Sequence, residues 1–115
     1  MSYFEIKQAT THEEVAAVAA LANDIWHECY ANILSPEQID YMMKTIQSVD
    51  RIEQDIKDGY EYYTAHLYGR LIGYMAMKPE DGYMFLSKIY IEKDFRGRKI
   101  ADQFMQLIYD EAKWL

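Results

Sequence analysis

The segment YMFLSKIYI (residues 83–91) is followed directly by EKDFRGRK (residues 92–99), and these two stretches decide the fold. The first is apolar and rich in β-branched and aromatic residues, which predicts a strand. The second is a basic turn containing Gly97, and residues 100–115 have the apolar spacing of an amphipathic helix. The first N–H groups of a helix lack partners within it, and the helix dipole is positive there, so the pattern predicts an anion site.

The rest of the chain predicts an α+β domain around this segment. Residues 3–8 predict a short strand, and Thr11, Ser35 and Ser48 each precede an amphipathic stretch as helix caps do. Two further strands are expected over 60–67 and 71–77, with a turn over 79–82 that contains an Asp-Gly pair. We therefore expect one domain over residues 1–115, an antiparallel sheet flanked by helices.

Charge is distributed unevenly along the chain. The whole sequence carries a net charge of −7, which disfavours nucleic acid as a partner. Residues 88–99 hold five basic and two acidic side chains, a net of +3, so the remainder carries −10. A basic island of this kind predicts a local anionic ligand. The acidic remainder is compatible with a cationic substrate and equally with surface acidity that serves solubility.

Composition narrows the class of protein further. Half of the 115 residues are hydrophobic, which is enough for a core. No apolar run reaches membrane-spanning length and the first residues do not form a signal peptide, so neither a membrane partner nor export is expected, and the cytoplasm is the expected location. Cys29 is the single cysteine and falls on the apolar stripe of the first helix, which predicts a buried thiol.

The segment RGRKIA (residues 96–101), behind the strand run IYI (residues 89–91), resembles the acyl-CoA-binding motif of the GNAT superfamily of N-acetyltransferases. The family pattern Gln/Arg-x-x-Gly-x-Gly/Ala falls on Arg96, Lys99 and Ala101. Lys99 departs from it where the family usually has Gly, although some polyamine-acetyltransferase-like bacterial members resemble this chain there. Residues 25–38 (IWHECYANILSPEQ) also look like the substrate-side helical region of some bacterial members.

The resemblance implies acetyl-CoA as co-substrate and a primary amine of a small molecule or peptide as acceptor. Backbone groups of the strand would bind the pantetheine arm, and N–H groups of the turn would hold the pyrophosphate. The implied cofactor-binding residues are Ile89, Tyr90, Ile91, Arg96, Gly97, Arg98, Lys99, Ile100 and Ala101. Direct transfer needs a base for the amine, an oxyanion donor and an acid for the thiolate.

Catalytic side chains are harder to assign from the sequence. The family often places a Glu on the fourth strand, where this chain offers Ser87 and Lys88, so the candidate base is Glu92 at the strand's end. Trp26 and Tyr30 are candidates for the acceptor pocket, with a structural role in the core as the alternative. The three histidines show no metal-ligand spacing, and no metal is expected.

The resemblance also implies which elements would follow the final helix. Family members usually continue after this helix with further strands and a helix, so we expect a truncated GNAT fold that lacks them. Residues 83–91 would then form a long apolar edge strand, which favours a homodimer through that edge or beside the final helix. The alternatives to an active enzyme are a non-catalytic acyl-CoA-binding remnant and a dimerisation module.

Overall fold

One antiparallel sheet and four α-helices make up residues 4–115, the part of the chain that the computed structural model describes. The strands are β1 (Phe4–Gln8), β2 (Glu61–Leu67), β3 (Arg70–Glu80) and β4 (Tyr83–Ile91), and the helices are α1 (His12–Tyr30), α2 (Pro36–Ile46), α3 (Val49–Lys57) and α4 (Ile100–Ala112). The α+β prediction is confirmed. Tyr3, the predicted start of the first strand, lies outside the described residues.

Side-chain caps fix where the first three helices begin. The Thr11 and Ser35 hydroxyls each accept a hydrogen bond from the third helical N–H, and their own backbone N–H groups donate to the side-chain oxygens of Glu14 and Gln38. Ser48 accepts from Arg51 N at the start of α3. These contacts satisfy backbone donors that the helix itself leaves open, as the sequence predicted.

Helices cover both faces of the sheet. Helices α1 to α3 pack on the face that carries Tyr62, Tyr74 and Ala76, all fully buried. Helix α4 packs on the opposite face through Phe104, against the buried Met75 and others. Each face of the sheet is covered by an apolar core, so the central strands β2 and β3 are buried on both faces. The sheet separates the core under α1 to α3 from the core under α4.

The strands pair in the order β1–β2–β3–β4, which leaves β4 paired on one side only among the described residues. The β3–β4 hairpin turns at Asp81 and Gly82 alone, so the predicted four-residue turn is too long, and Pro79 lies within β3 opposite Met84. The register of this hairpin slips by one between Ala76 and Met77. Ser87 is therefore an extra residue on β4, and such a bulge bends the strand locally.

Cys29 is exposed, and the prediction of a buried thiol is wrong. Ile25, one turn earlier on the same stripe, is buried. Helix α1 ends at Tyr30, so Cys29 lies in its last turn. The periodicity of a helix predicts which face is apolar, but it does not tell where the covering layer ends.

Candidate functional site

The connection from β4 to α4 ends in a helix start without a side-chain cap. A short 3-10 helix (Lys93–Phe95) follows β4, and Gly97 and Lys99 then take positive φ angles of 82° and 62°. Lys99 occupies the cap position of α4 and makes no side-chain cap hydrogen bond. The first N–H groups of α4 are thus left for another acceptor, at the positive end of the helix dipole.

A cavity of about 310 Å³ opens at this helix start. Its lining combines the end of β4, the turn and the first residues of α4, namely Ile91, Phe95, Arg96, Gly97, Lys99, Ile100, Ala101 and Asp102. Five of the predicted cofactor-binding residues besides Ile91 therefore meet in one place. The cavity has backbone donors at one side and an apolar floor, which is what an anion attached to an apolar chain requires.

The basic side chains of the turn have different surroundings. Arg96 points back into the fold, where Nε donates to Ile91 O at 2.9 Å and Nη2 lies 3.6 Å from Glu28 Oε1. Arg98 lies over the Phe95 ring, 5.1 Å from its centroid. Lys99 is exposed. Arg96 therefore ties the turn to α1, while Arg98 and Lys99 supply the outward-facing charge.

The ladder between β3 and β4 determines which backbone groups of β4 face the open edge. Glu92 N donates to Ile72 O at 2.8 Å. Hydrogen-bonded and non-hydrogen-bonded pairs alternate in an antiparallel ladder, so Tyr90 exchanges its bonds with Tyr74 opposite. Ile89 and Ile91 point their N–H and C=O groups to the open edge. Ile89 and Ile91, two of the three predicted strand residues, thus present backbone groups at the open edge of β4. The third, Tyr90, presents its side chain to the face covered by α1.

Close approach between the two strands depends on Gly73. A Cβ on this residue would lie 2.8 Å from Tyr90 O and 2.9 Å from the Ile91 side chain. Only a residue without a side chain fits this space without a shift in β4. Gly73 therefore holds the edge strand in position at the point where it enters the turn.

An aromatic cluster lies on the α1 face beside the open strand. The Trp26 ring is 5.3 Å from Tyr30 and 6.4 Å from Tyr90, centroid to centroid. Trp26 is 8% exposed, and its Nε1 has no hydrogen-bond partner among the described residues. The structure thus brings both predicted acceptor-pocket residues together with Tyr90, which belongs to the predicted cofactor strand.

A buried polar cluster on the same face was missed by the sequence analysis. Tyr62 Oη donates to Asp55 Oδ2 at 2.7 Å, and Lys88 Nζ donates to Tyr62 Oη at 3.4 Å. Gln47 joins Tyr62 to Tyr74, whose hydroxyl donates to Gln47 Oε1 at 2.8 Å. One signal was available, because Asp55 lies on the inward stripe of α3 between Ile52 and Ile56. A carboxylate in that position needs buried partners.

Burial shifts the pKa values in this cluster. Desolvation, followed by the hydrogen bond to Asp55, raises the pKa of Tyr62 far above its usual value. Desolvation lowers the pKa of Lys88, and the positive charge of Arg51 lowers it further, while the Asp55 carboxylate acts in the opposite direction. Burial therefore shifts the equilibrium of both side chains toward their neutral forms, relative to the same groups in water.

Glu92 and the histidines are engaged elsewhere. Glu92 Oε1 accepts a hydrogen bond from Arg70 Nη2 at 2.7 Å, and the Arg70 guanidinium also lies over the Phe95 ring. His27 Nε2 lies 2.8 Å from Asp40 Oδ1, and His66 Nε2 lies 2.9 Å from the Thr64 hydroxyl. Within residues 4–115, no group of three His, Cys, Asp or Glu side chains is arranged to bind a metal ion.

These features place a helix start suited to an anionic ligand on one side of β4 and an aromatic, partly polar surface on the other side. A family model for the acetyltransferase (GNAT) domain matches residues 30–114, which is most of the chain. The chain belongs to the GNAT family and is an N-acetyltransferase by class. The match includes the strand, the turn and the helix start described above.

Solved structures of acetyltransferases share the fold. A PaiA N-acetyltransferase from Thermoplasma acidophilum, solved in complex with coenzyme A, superposes with a TM-score of 0.82 at 21% identity, covering 98% of this chain and 73% of that one. A GCN5-related N-acetyltransferase from Rhodopseudomonas palustris gives a TM-score of 0.73 at 18% identity, covering 98% and 68%. No curated protein sequence matches the chain. No helix in the described part of the chain is long and apolar enough to cross a membrane.

Proposed function

We propose that this chain, as one GNAT-type domain over residues 1–115, transfers the acetyl group of acetyl-CoA to a primary amine of a small molecule or peptide. The observation that carries the proposal is the uncapped start of α4 beside the open edge of β4. The starts of the other three α-helices in the described chain are capped by Thr11, Ser35 and Ser48. The α4 start therefore has donors available for a ligand.

The residues at this site fit the chemistry of coenzyme A. The N–H groups from Gly97 to Ala101 suit a pyrophosphate, and the Lys99 side chain, which lines the cavity, adds positive charge there. The exposed Arg98 follows Gly97 and adds charge beside the cavity. The outward-facing backbone groups of Ile89 suit an amide-containing chain that lies along the strand edge. The Ile91 carbonyl is bound by Arg96 in this structure, so it is the Ile91 N–H that remains for the ligand.

Direct transfer assigns distinct tasks to the two sides of β4. When bound, acetyl-CoA supplies a thioester, whose carbonyl is attacked by the neutral amine while the C–S bond breaks and the thiolate leaves. The edge of β4 orients the acyl chain, and a free backbone N–H there is suited to the developing oxyanion. The aromatic cluster of Trp26, Tyr30 and Tyr90 lies on the acceptor side, and its rings would exclude water from the amine.

Two measurements test the proposal. Calorimetry with acetyl-CoA should show saturable binding. Thiol release should then depend on an added amine, with polyamines, amino acids and peptides with free amino termini as the acceptor panel. Binding without thiol release would favour the alternative of a non-catalytic acyl-CoA-binding remnant. Absence of binding would favour a dimerisation module, and the expected homodimer through β4 or α4 would be checked by sedimentation.

A matched pair of variants locates the binding site. Gly97 and Gly82 have nearly equal φ angles of 82° and 84°, and neither Cβ would meet an atom within 4 Å. Gly97→Ala and Gly82→Ala should therefore lose similar stability, on the order of 1 kcal/mol, because both place a side chain in a left-handed conformation. Only Gly97→Ala should also weaken acetyl-CoA binding. Equal affinity of the two variants for acetyl-CoA would contradict a pyrophosphate-binding site at residues 97–101.

A further inference from the structure

We propose that Lys88 is the general base of the transfer, and that Tyr62 and Asp55 are positioning residues that aim its amine at the acceptor. The inference rests on the proposed function and adds a residue to it. The base takes a proton from the acceptor's ammonium group, so that the amine can attack the thioester. A side chain with this task must lie on the acceptor side of β4 and must be able to exist in its neutral form.

Lys88 lies on the face of β4 where the proposed acceptor would bind. It follows the bulged Ser87 and precedes Ile89, whose backbone groups face the open edge. Its cross-strand neighbour is Ala76, which faces α1 to α3 and is fully buried. The small Ala76 side chain leaves room for Lys88 to reach across β3 toward Tyr62 on β2. Lys88 thus lies on the same face as Tyr90 and the aromatic cluster.

The donors and acceptors of the buried cluster are fixed by the hydroxyl proton of Tyr62. Tyr62 has a single hydroxyl proton, which goes to Asp55 Oδ2 at 2.7 Å. The Tyr62 oxygen can then only accept from Lys88, 3.4 Å away. When Lys88 is neutral, its lone pair has no role in this contact, and it remains available for a proton from elsewhere. Asp55 is in turn held by Arg51 Nε at 3.2 Å.

The charges that face Lys88 come from α3 and the neighbouring strands. Asp55 and Arg51 on α3 carry opposite charges, and Tyr62 on β2 and Tyr74 on β3 stay protonated because burial raises their pKa values. Burial lowers the pKa of Lys88, with Arg51 acting in the same direction. This lowered pKa favours the neutral amine of Lys88 relative to a lysine in water, and the neutral amine is the form that accepts a proton.

The proton balance is simple. The acceptor's ammonium and the neutral Lys88 amine exchange one proton, which leaves a neutral acceptor and a Lys88 ammonium stabilised by the Asp55 carboxylate nearby. Glu92, the base that the sequence suggested, is bound to Arg70 at 2.7 Å. Proton transfer to Glu92 would break that ion pair, whereas proton transfer to Lys88 breaks no contact of the cluster.

The decisive comparison is between Lys88→Arg and Lys88→Met. Arginine keeps the positive charge and most of the reach but does not deprotonate, so it replaces a lysine that binds an anion and fails to replace one that acts as a base. We expect both variants to lose kcat/KM by about 100-fold or more, the usual contribution of a general base. In Tyr62→Phe, the acidic limb of the pH profile of kcat/KM should move.

Lys78 provides the matched control. It also lies over a tyrosine ring, 5.3 Å from the Tyr60 centroid, and it pairs with Glu80 at 3.6 Å on the outer part of β3. Lys78→Arg and Lys78→Met should leave kcat/KM and its pH profile unchanged. Retention of activity in Lys88→Arg, or loss of the acidic limb in Glu92→Gln instead, would overturn the assignment while leaving the proposed function intact.

A second readout does not depend on activity. Labelling of lysines with acetic anhydride over a range of pH, followed by peptide mass spectrometry, reports the titration of each amine. Lys88 should begin to label at lower pH in the folded protein than in urea, and Tyr62→Phe should change that pH. An identical titration of Lys88 in both states would overturn the inference. Wild-type protein without amine-dependent thiol release would instead overturn the proposed function, and the base with it.

Discussion

Lys99 combines a proposed role in binding with a backbone conformation that costs stability. It adopts a φ of 62° at the start of α4, a conformation that is unfavourable for residues with a side chain. Lys99→Gly should raise the free energy of unfolding by about 1 kcal/mol relative to Lys99→Ala, since the two variants differ only in the Cβ. Both should weaken acetyl-CoA binding to the same extent at low salt, because both remove the charge.

Urea unfolding and calorimetry at two salt concentrations would check this pair. Equal stability of the Gly and Ala variants would mean that the backbone at this position relaxes and that no strain is present. A loss of affinity in Lys99→Ala alone would mean that the turn geometry, rather than the ammonium, governs binding.

Trp26 carries a buried N–H without a partner among the described residues. Trp26→Phe removes this donor and keeps an aromatic ring against Tyr30, so the lost packing and the relieved desolvation oppose each other, each on the order of 1–3 kcal/mol. We expect a small net change in stability, whereas Trp26→Ala should lose about 3–5 kcal/mol. Thermal unfolding measures both. A raised KM for the amine in Trp26→Phe would assign the indole N–H to the acceptor.

Among the α-helices, we propose that α4 is the one whose start a ligand stabilises. Its first N–H groups have no side-chain cap, and those of α1 to α3 do. Coenzyme A should therefore slow hydrogen exchange of the amides of residues 97–102 and leave the capped starts of the other helices unchanged. Exchange measured by mass spectrometry with and without coenzyme A makes this comparison within one sample. Uniform slowing at all helix starts would indicate global stabilisation only.

The elements followed from local signals, while the polar cluster did not. The caps at Thr11, Ser35 and Ser48 and the strand–turn–helix at residues 83–112 are encoded within a few residues, so the sequence predicted them. The contact between Lys88 and Tyr62 joins β4 to β2 across Ala76, and it depends on strand order and register. Neither is encoded locally, which is why the sequence pointed to Glu92 and left Lys88 without a role.

Register also explains the finer differences at the site. The bulge at Ser87 shifts every residue before it by one relative to β3, and a one-residue shift exchanges the faces of a strand. A simple alternation of side chains along β4 therefore predicts the wrong face of the sheet for the residues on one side of Ser87.

In the molecule as a whole, the sheet separates the helix start proposed to bind an anion from the polar and aromatic side chains on the opposite face. Helix α4 and its start occupy one face, and the polar cluster and the aromatic rings occupy the other. The two meet at the open edge of β4, where residues of one strand alternate between the faces. Under the proposed function, a donor bound along the edge and an acceptor on the α1 face would approach each other without either crossing the core.

The buried tyrosines predict how the whole fold responds to alkaline pH. Burial raises the pKa values of Tyr62, Tyr63, Tyr74 and Tyr90, so these hydroxyls keep their protons in the folded state at a pH where the unfolded chain has lost them, above about 10. The folded state then binds more protons than the unfolded state, and the free energy of unfolding must fall as pH rises through that range. Lys88 acts in the opposite direction below its unfolded pKa of about 10.4, because its folded pKa is lowered.

Stability should thus be highest at mildly alkaline pH and should fall steeply beyond it. Urea midpoints across this range, together with the ultraviolet absorbance of tyrosinate, would show the buried hydroxyls ionising only as the protein unfolds. Tyr74→Phe should reduce the alkaline slope, since a hydroxyl whose pKa is raised by burial is removed. Full ionisation of all eleven tyrosines before unfolding would show that the sheet face carrying Tyr62 and Tyr74 is open to solvent, and the polar cluster as described would not exist.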